Sequence, residues 1–156
     1  EQKVFYYKFN LMQANFKWIG TRGCRKKDLK NLQWIRNIKG RSYPFWRLDT
    51  FFSDKKFMNV DIIKKGGWHF TSIKKPKDIH YKLSNFMHHL EYEYSGLEEN
   101  DMEKMVREKK ILYDHSLDKK NQNKWNSNIE LKKIDSKYLP LYLNNNKDIF
   151  SHWFED

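Results

Sequence analysis

The chain has 156 residues, room for one domain or for part of a larger one. Aromatic residues at 17% and charged residues at 33% exclude both a fibrous chain and a disordered polar one. No apolar run reaches the ~18 residues of a membrane-spanning helix, and the sequence does not open on a basic stretch followed by an apolar one, the pattern of a secretion signal.

The formal charge of +11 points to anionic partners, whether nucleic acid, anionic lipid or phosphorylated ligands. The lysines come in scattered pairs such as Lys26-Lys27, Lys64-Lys65, Lys74-Lys75 and Lys119-Lys120, and no single helix face collects them. That scatter equally fits a bias in the composition of the source. Cys24 is the only cysteine, so an internal disulfide is excluded and a reducing compartment is favoured.

From Glu1 the chain enters Val4-Phe5-Tyr6-Tyr7-Lys8-Phe9 at once. Residues 4–9 and 16–24 read as two strands joined near Gln13-Ala14-Asn15. Gly20 and Gly23 interrupt the second, as at a bulge or a close backbone approach. So abrupt a strand gives the expectation of a sequence cut from a longer one, with apolar surface around residues 4–9 for the missing part. Asp28 is placed to cap a helix running to Asn37, with Leu29, Leu32 and Ile35 or Arg36 at helical spacing and Gly40 to stop it. An aromatic connection follows over 41–54. Val60–Ile63, Lys64-Lys65-Gly66 and Gly67–Thr71 then read as strand, turn and strand of a hairpin.

Pro76 suits a first helical turn, where its missing N–H goes unused, and Ile79, Leu83, Phe86 and Leu90 make one apolar stripe behind it. Ser95-Gly96 breaks this helix. Glu98, Glu99 and Asp101 open the next and Lys104, Arg107, Lys109 and Lys110 close it, each sign at the favourable end of the helix dipole. Residues 114–128 read as a long polar surface loop. A last helical segment starts at Asp135 or Ser136 and runs to Asn146 with Pro140 in its first turn.

Gly66-Gly67-Trp68-His69-Phe70 is the motif with the most chemistry in it. Two glycines allow close backbone approach, Trp68 offers a flat face for a sugar ring, and His69 can bind a metal, donate to a phosphate or carry a proton. The same residues also suit a hairpin turn with a core tryptophan and a satisfied histidine. His89 and Glu91, two apart, do not face each other on a regular helix, so His88-His89-Leu90-Glu91 reads equally as a polar helix end. Arg47 can grip phosphate, or pair with a carboxylate and stack on Trp46 or Tyr43.

At Gly66–Phe70 the sequence resembles glycosyltransferase family 17, the β-1,4-mannosyl-glycoprotein 4-β-N-acetylglucosaminyltransferase family. Trp18-Ile19-Gly20-Thr21 with Lys27-Asp28-Leu29 is similar to the family's aromatic strand and following helix. Gly67-Trp68-His69-Phe70-Thr71 resembles its Gly-Trp-His core. Phe86-Met87-His88-His89-Leu90-Glu91-Tyr92 resembles the His-x-Glu helix end of microbial members, and Tyr138-Leu139-Pro140-Leu141-Tyr142-Leu143 with Asn145-Asn146 resembles the closing segment. Order and spacing agree along nearly the whole chain. The sequence departs from the family at Lys74-Lys75-Pro76, where many relatives are Gly-rich, and the His-x-Glu pair is not general to the family.

The resemblance implies inverting transfer of N-acetylglucosamine, or a related sugar, from a nucleotide-sugar donor such as UDP-N-acetylglucosamine to a glycan acceptor, as in N-glycosylation and other glycan biosynthesis. It implies an α/β, GT-A-like scaffold, a mixed sheet with flanking helices, and a divalent metal (Mn or Mg) held by an Asp-x-Asp motif. No Asp-x-Asp occurs in this chain and the family's lies upstream. Residues 1–156 therefore read as a single-domain fragment, the C-terminal half of the transferase domain, inactive by itself. The resemblance gives His69 to the metal or the diphosphate and Glu91 to the catalytic base. Gly66, Gly67, Trp68, Arg47 and His89 would contact substrate. It implies a cytoplasmic or peripheral membrane location in a microbe and the Golgi in a eukaryote, and it disfavours nucleic acid as partner. The alternatives are a basic nucleic-acid-binding module and a carbohydrate-binding remnant without activity.

Overall fold

The structure, a computed structural model, describes residues 1–38, 43–56, 60–86, 89–114, 122–125 and 127–156, with backbone alone at 122–123. The chain divides into two compact units. One comprises Glu1–Gln2 and Lys17–Gly67, the other Lys3–Phe16 and Trp68–Asp156. It is a mixed α/β chain: β1 (Gln2–Tyr6), β2 (Leu11–Trp18), β3 (Trp68–Thr71) and the short β4 (Lys132–Lys133) form one sheet in the order β3-β1-β2-β4. β3 runs parallel to β1 and β4 antiparallel to β2.

β1 is the centre of the larger unit. Val4, Phe5, Tyr6 and Tyr7 are all buried, an unbroken apolar run of the kind a strand covered on both faces carries. Phe5 packs with Leu139, Leu143 and Phe154, and Phe9, Met12, Phe70, Ile134 and Phe150 close around them. The expected apolar surface around residues 4–9 is therefore not there: the chain itself covers β1. The turn between the first two strands lies at Tyr7–Asn10, not at 13–15, and Gln13-Ala14-Asn15 is mid-strand. Tyr7 takes a positive φ of 63° there. Asn10 fixes the turn by two reciprocal bonds with the Glu155 backbone, both 2.8 Å.

α2 (Pro76–Ser84) begins on Pro76 as the sequence indicates and buries Ile79 and Leu83. The stripe ends there. The chain turns at Asn85, Phe86 and Leu90 are exposed, and α3 (His89–Ser95) is a separate helix that buries Tyr92. Gly96 ends α3 at a positive φ of 67°, as expected. α4 (Glu99–Arg107) carries the expected dipole-matched charges and a capping box between Glu98 and Asp101. α2 packs against both α3 and α4. The closing segment is a 3-10 turn over Ser136–Tyr138, capped by Asp135, and then α5 (Leu141–Asn145) with Pro140 at its N-cap. Proline has no N–H to give, so the chain breaks and restarts there instead of running as one helix.

In the smaller unit, the first helix is shorter than expected. α1 (Leu32–Asn37) is capped by Asn31, whose side chain accepts from the Trp34 N–H at 2.7 Å. Asp28 instead bonds Arg25. Gly40 lies outside the described residues. Gly20 is a close approach, since a Cβ there would stand 1.7 Å from the Trp18 indole. Residues 60–63 form no strand, so the expected hairpin is absent. Instead the Glu1 amine donates to the Ile63 carbonyl at 2.7 Å and the Gly66 N–H to the Glu1 carbonyl at 2.8 Å. Among the described residues no helix is long and apolar enough to cross a membrane.

Candidate functional site

β3 places His69 opposite Val4 of β1, and Trp68 opposite Lys3. Side chains alternate along a strand, so Trp68 and Phe70 share one face of the sheet and His69 and Thr71 share the other. The contacts agree. Phe70 meets Phe5 and Phe9 at ring distances of 5.2 and 5.4 Å, while His69 feels Lys82 of α2.

Trp68 remains 40% exposed, with its orientation fixed by a 2.8 Å bond from its Nε1 to the Tyr138 carbonyl. Lys3 and Lys137 sit over the Tyr138 ring at 5.4 and 5.2 Å. Two segments that carry the family resemblance are thus joined 70 positions apart. Gly67, just before β3, has φ of +142°, a conformation that needs glycine. Gly66 is an exposed turn residue tied to Glu1.

His69 is half-buried. Burial, and then the positive charge of Lys82, hold its imidazole below the ordinary histidine pKa, so the ring is neutral at physiological pH.

On α3, Glu91 and His89 go to different partners. Glu91 Oε2 pairs with Lys124 Nζ at 3.0 Å, and His89 Nδ1 bonds the Phe86 carbonyl at 3.0 Å. The structure does not bring them to a common ligand, in keeping with their spacing. His88 lies outside the described residues.

Lys124 is the residue the sequence did not offer. It was expected in a solvated loop over 114–128, yet it is buried and its ammonium lies 5.4 Å from the Tyr113 ring. Trp125 packs on both Tyr92 and Tyr113 at 5.5 and 5.0 Å, and Asp114 is buried too. Lys119 lies outside the described residues. One signal was present: a lone tryptophan in a polar run, next to Ile111-Leu112-Tyr113, has to pack somewhere.

The group continues to β1. Burial, followed by Tyr113 and Asp114, raises the Tyr6 phenol well above its ordinary pKa. Among the described residues its buried hydroxyl has no hydrogen-bond partner. Burial and Glu91 raise Tyr113. Tyr92 meets His80 Nδ1 at 2.7 Å and is pushed up to about 12 by burial, then by Asp101 and Glu98. Val4, Tyr6 and His69 therefore share one face of the sheet, with Lys82 close enough to act on His69 and Tyr113 close enough to act on Tyr6.

Arg47 belongs to the smaller unit. Its Nε and Nη2 grip both oxygens of Asp49 at 2.7 and 2.9 Å, and its guanidinium lies 5.7 Å from the Tyr43 ring. Those are the carboxylate and stacking partners anticipated for it. Arg47 and Lys56 hold the Asp49 carboxyl far below the usual range.

The resemblance places the acidic ligands of the implied metal upstream of these residues. Among the described residues no three His, Cys, Asp or Glu side chains converge, and Lys82 puts positive charge near His69, the one proposed ligand. Comparison with protein-family models, curated proteins and solved structures finds no match to this chain.

Proposed function

We propose that these residues belong to an inverting glycosyltransferase that moves N-acetylglucosamine, or a related sugar, from a nucleotide-sugar donor to a glycan acceptor. The motif resemblance motivates the reading. One observation supports it beyond the sequence: β3 holds His69 half-buried on the sheet face opposite Phe70, near Lys82 of α2. His69 is taken as the proton acceptor because its ring is neutral near pH 7 while Glu91 already has a charged partner; burial and Lys82 make that imidazole a weaker base than an ordinary one.

In this scheme the acceptor hydroxyl gives its proton to the imidazole as its oxygen attacks the anomeric carbon. The bond from that carbon to the diphosphate breaks, and the nucleoside diphosphate leaves with the electron pair. Donor phosphates and any metal on them are assigned to residues outside these 156, which by themselves transfer no sugar. Trp68 faces away from His69, so one sugar ring does not bridge them across the sheet. The indole instead serves as a fixed plate at the edge strand.

The test is an incubation of the full protein that contains this chain with UDP-N-acetylglucosamine, other nucleotide sugars and glycan acceptors. The reading expects nucleoside diphosphate release together with a glycan heavier by one sugar residue. Glycan binding without donor consumption would replace it with the carbohydrate-binding remnant.

A further inference from the structure

The chain's positive charge is not spread evenly between its units. The smaller unit holds fourteen of the 31 Lys and Arg and five of the 20 Asp and Glu, a net +9 of the total +11. The larger unit keeps seventeen against fifteen, a net +2. Lys26-Lys27, Lys55-Lys56 and Lys64-Lys65 all belong to the smaller unit.

The same unit presents apolar side chains to solvent. Phe45 is 82% exposed, Trp46 67%, Leu48 67% and Phe52 92%, all within eight consecutive residues. This segment is built, not loose. Phe45 and Trp46 pack edge to face at 5.2 Å. The Arg47 carbonyl accepts from both the N–H of Thr50 at 3.0 Å and its hydroxyl at 2.7 Å, and Thr50 is buried beneath the 3-10 turn at Leu48–Thr50. Asp49 is the one acid on the segment and is neutralised by Arg47 and Lys56. The result is an exposed apolar segment on a unit of net charge +9.

We propose that the smaller unit docks on an anionic lipid bilayer, Phe45, Trp46, Leu48 and Phe52 entering the boundary between headgroups and acyl chains while the Lys and Arg side chains meet lipid phosphates. Three features select this occupant. Tryptophan and phenylalanine are the side chains that favour the interfacial layer, and net positive charge adds attraction to anionic lipid. Leu48 offers nothing for a base to stack on, which argues against nucleic acid. A net +9 repels a second copy of the same face.

The experiment is co-sedimentation of the protein with phosphatidylcholine vesicles, with and without phosphatidylglycerol, at low and raised salt. Binding should require phosphatidylglycerol and weaken with salt. Phe45→Ser, Trp46→Ser and Phe52→Ser together should weaken it about tenfold or more, because each removes apolar area from the bilayer. Their exposure keeps folding intact, and an unchanged thermal melt verifies that. Quenching of tryptophan fluorescence by brominated lipid should fall in Trp46→Phe. No binding to phosphatidylglycerol vesicles at low salt would overturn the proposal, as would a folded triple variant that binds like the parent. Binding of a single-stranded oligonucleotide that the triple variant loses, with no vesicle binding, would also overturn it and make the face a nucleic-acid surface.

Discussion

Replacing Lys124 with methionine removes one ammonium from inside the larger unit and keeps a side chain of similar length. The Nζ lies 3.0 Å from Glu91 Oε2, with side-chain exposures of 9% and 27%. At that separation and an effective dielectric near 20 the attraction is about 5–6 kcal/mol, most of it offset by the desolvation of both ions. Breaking a fully buried pair by removing one partner costs about 3–5 kcal/mol. Glu91 keeps some access to water, so the expected loss for Lys124→Met is about 1–3 kcal/mol. Glu91→Gln in the same background removes the carboxylate charge and should restore part of that loss. Urea unfolding followed by both tryptophan fluorescence and far-UV circular dichroism measures the full cycle. A single-variant cost below about 0.5 kcal/mol, the size of an ordinary surface change, would refute the placement of Lys124. So would a cycle additive to within about 0.5 kcal/mol.

Gly67→Ala should destabilise by about 1–3 kcal/mol, because φ at +142° is close to glycine-only territory. Space is not the obstacle, since the nearest atom to a new Cβ would be 3.6 Å away. Gly23→Ala, with nothing within 4 Å, is the control and should change little, and thermal melts compare the two. Stability should also fall as pH drops below about 6.5, the ordinary histidine value. In that window the unfolded chain takes up a proton that folded His69 refuses until its own lower pKa is reached; above it both states are neutral and the effect vanishes. Denaturation midpoints across this range should show a shallower slope in His69→Gln, and identical slopes would contradict the burial of His69.

Local chemistry was the legible part of the sequence. Pro76, the Ile79–Leu83 spacing, the Gly96 stop and the charge arrangement of α4 are all signals acting within a turn or two, and each is present in the structure. Pairing partners were not legible. Gly67–Thr71 has the composition of a hairpin strand, but its hydrogen bonds go to β1, more than sixty residues earlier, and no local pattern encodes a parallel partner. The 13–15 turn failed for a related reason: Gln13 is buried in mid-strand although its polarity suggests a loop. At the candidate site, Trp68 and His69 were visible as a motif, but the alternation that puts them on opposite faces follows only once β3 is known to be a strand of this sheet. Glu91 was visible and its partner was not, because Lys124 sits in a run of Asn, Gln and Lys whose polarity masks its burial. Charge taken along the chain, and not by unit, hides its excess in the unit that carries Phe45–Phe52.

If His69 takes the proton in a sugar transfer, His69→Ala should cripple turnover by the protein. Initial rates of transfer from UDP-N-acetylglucosamine to a glycan acceptor should be measured for the parent and the variant, each with its thermal melt. Loss of a positioned general base predicts a fall on the order of 10²–10⁴ in turnover with folding retained. Full turnover in a folded His69→Ala protein would contradict the account.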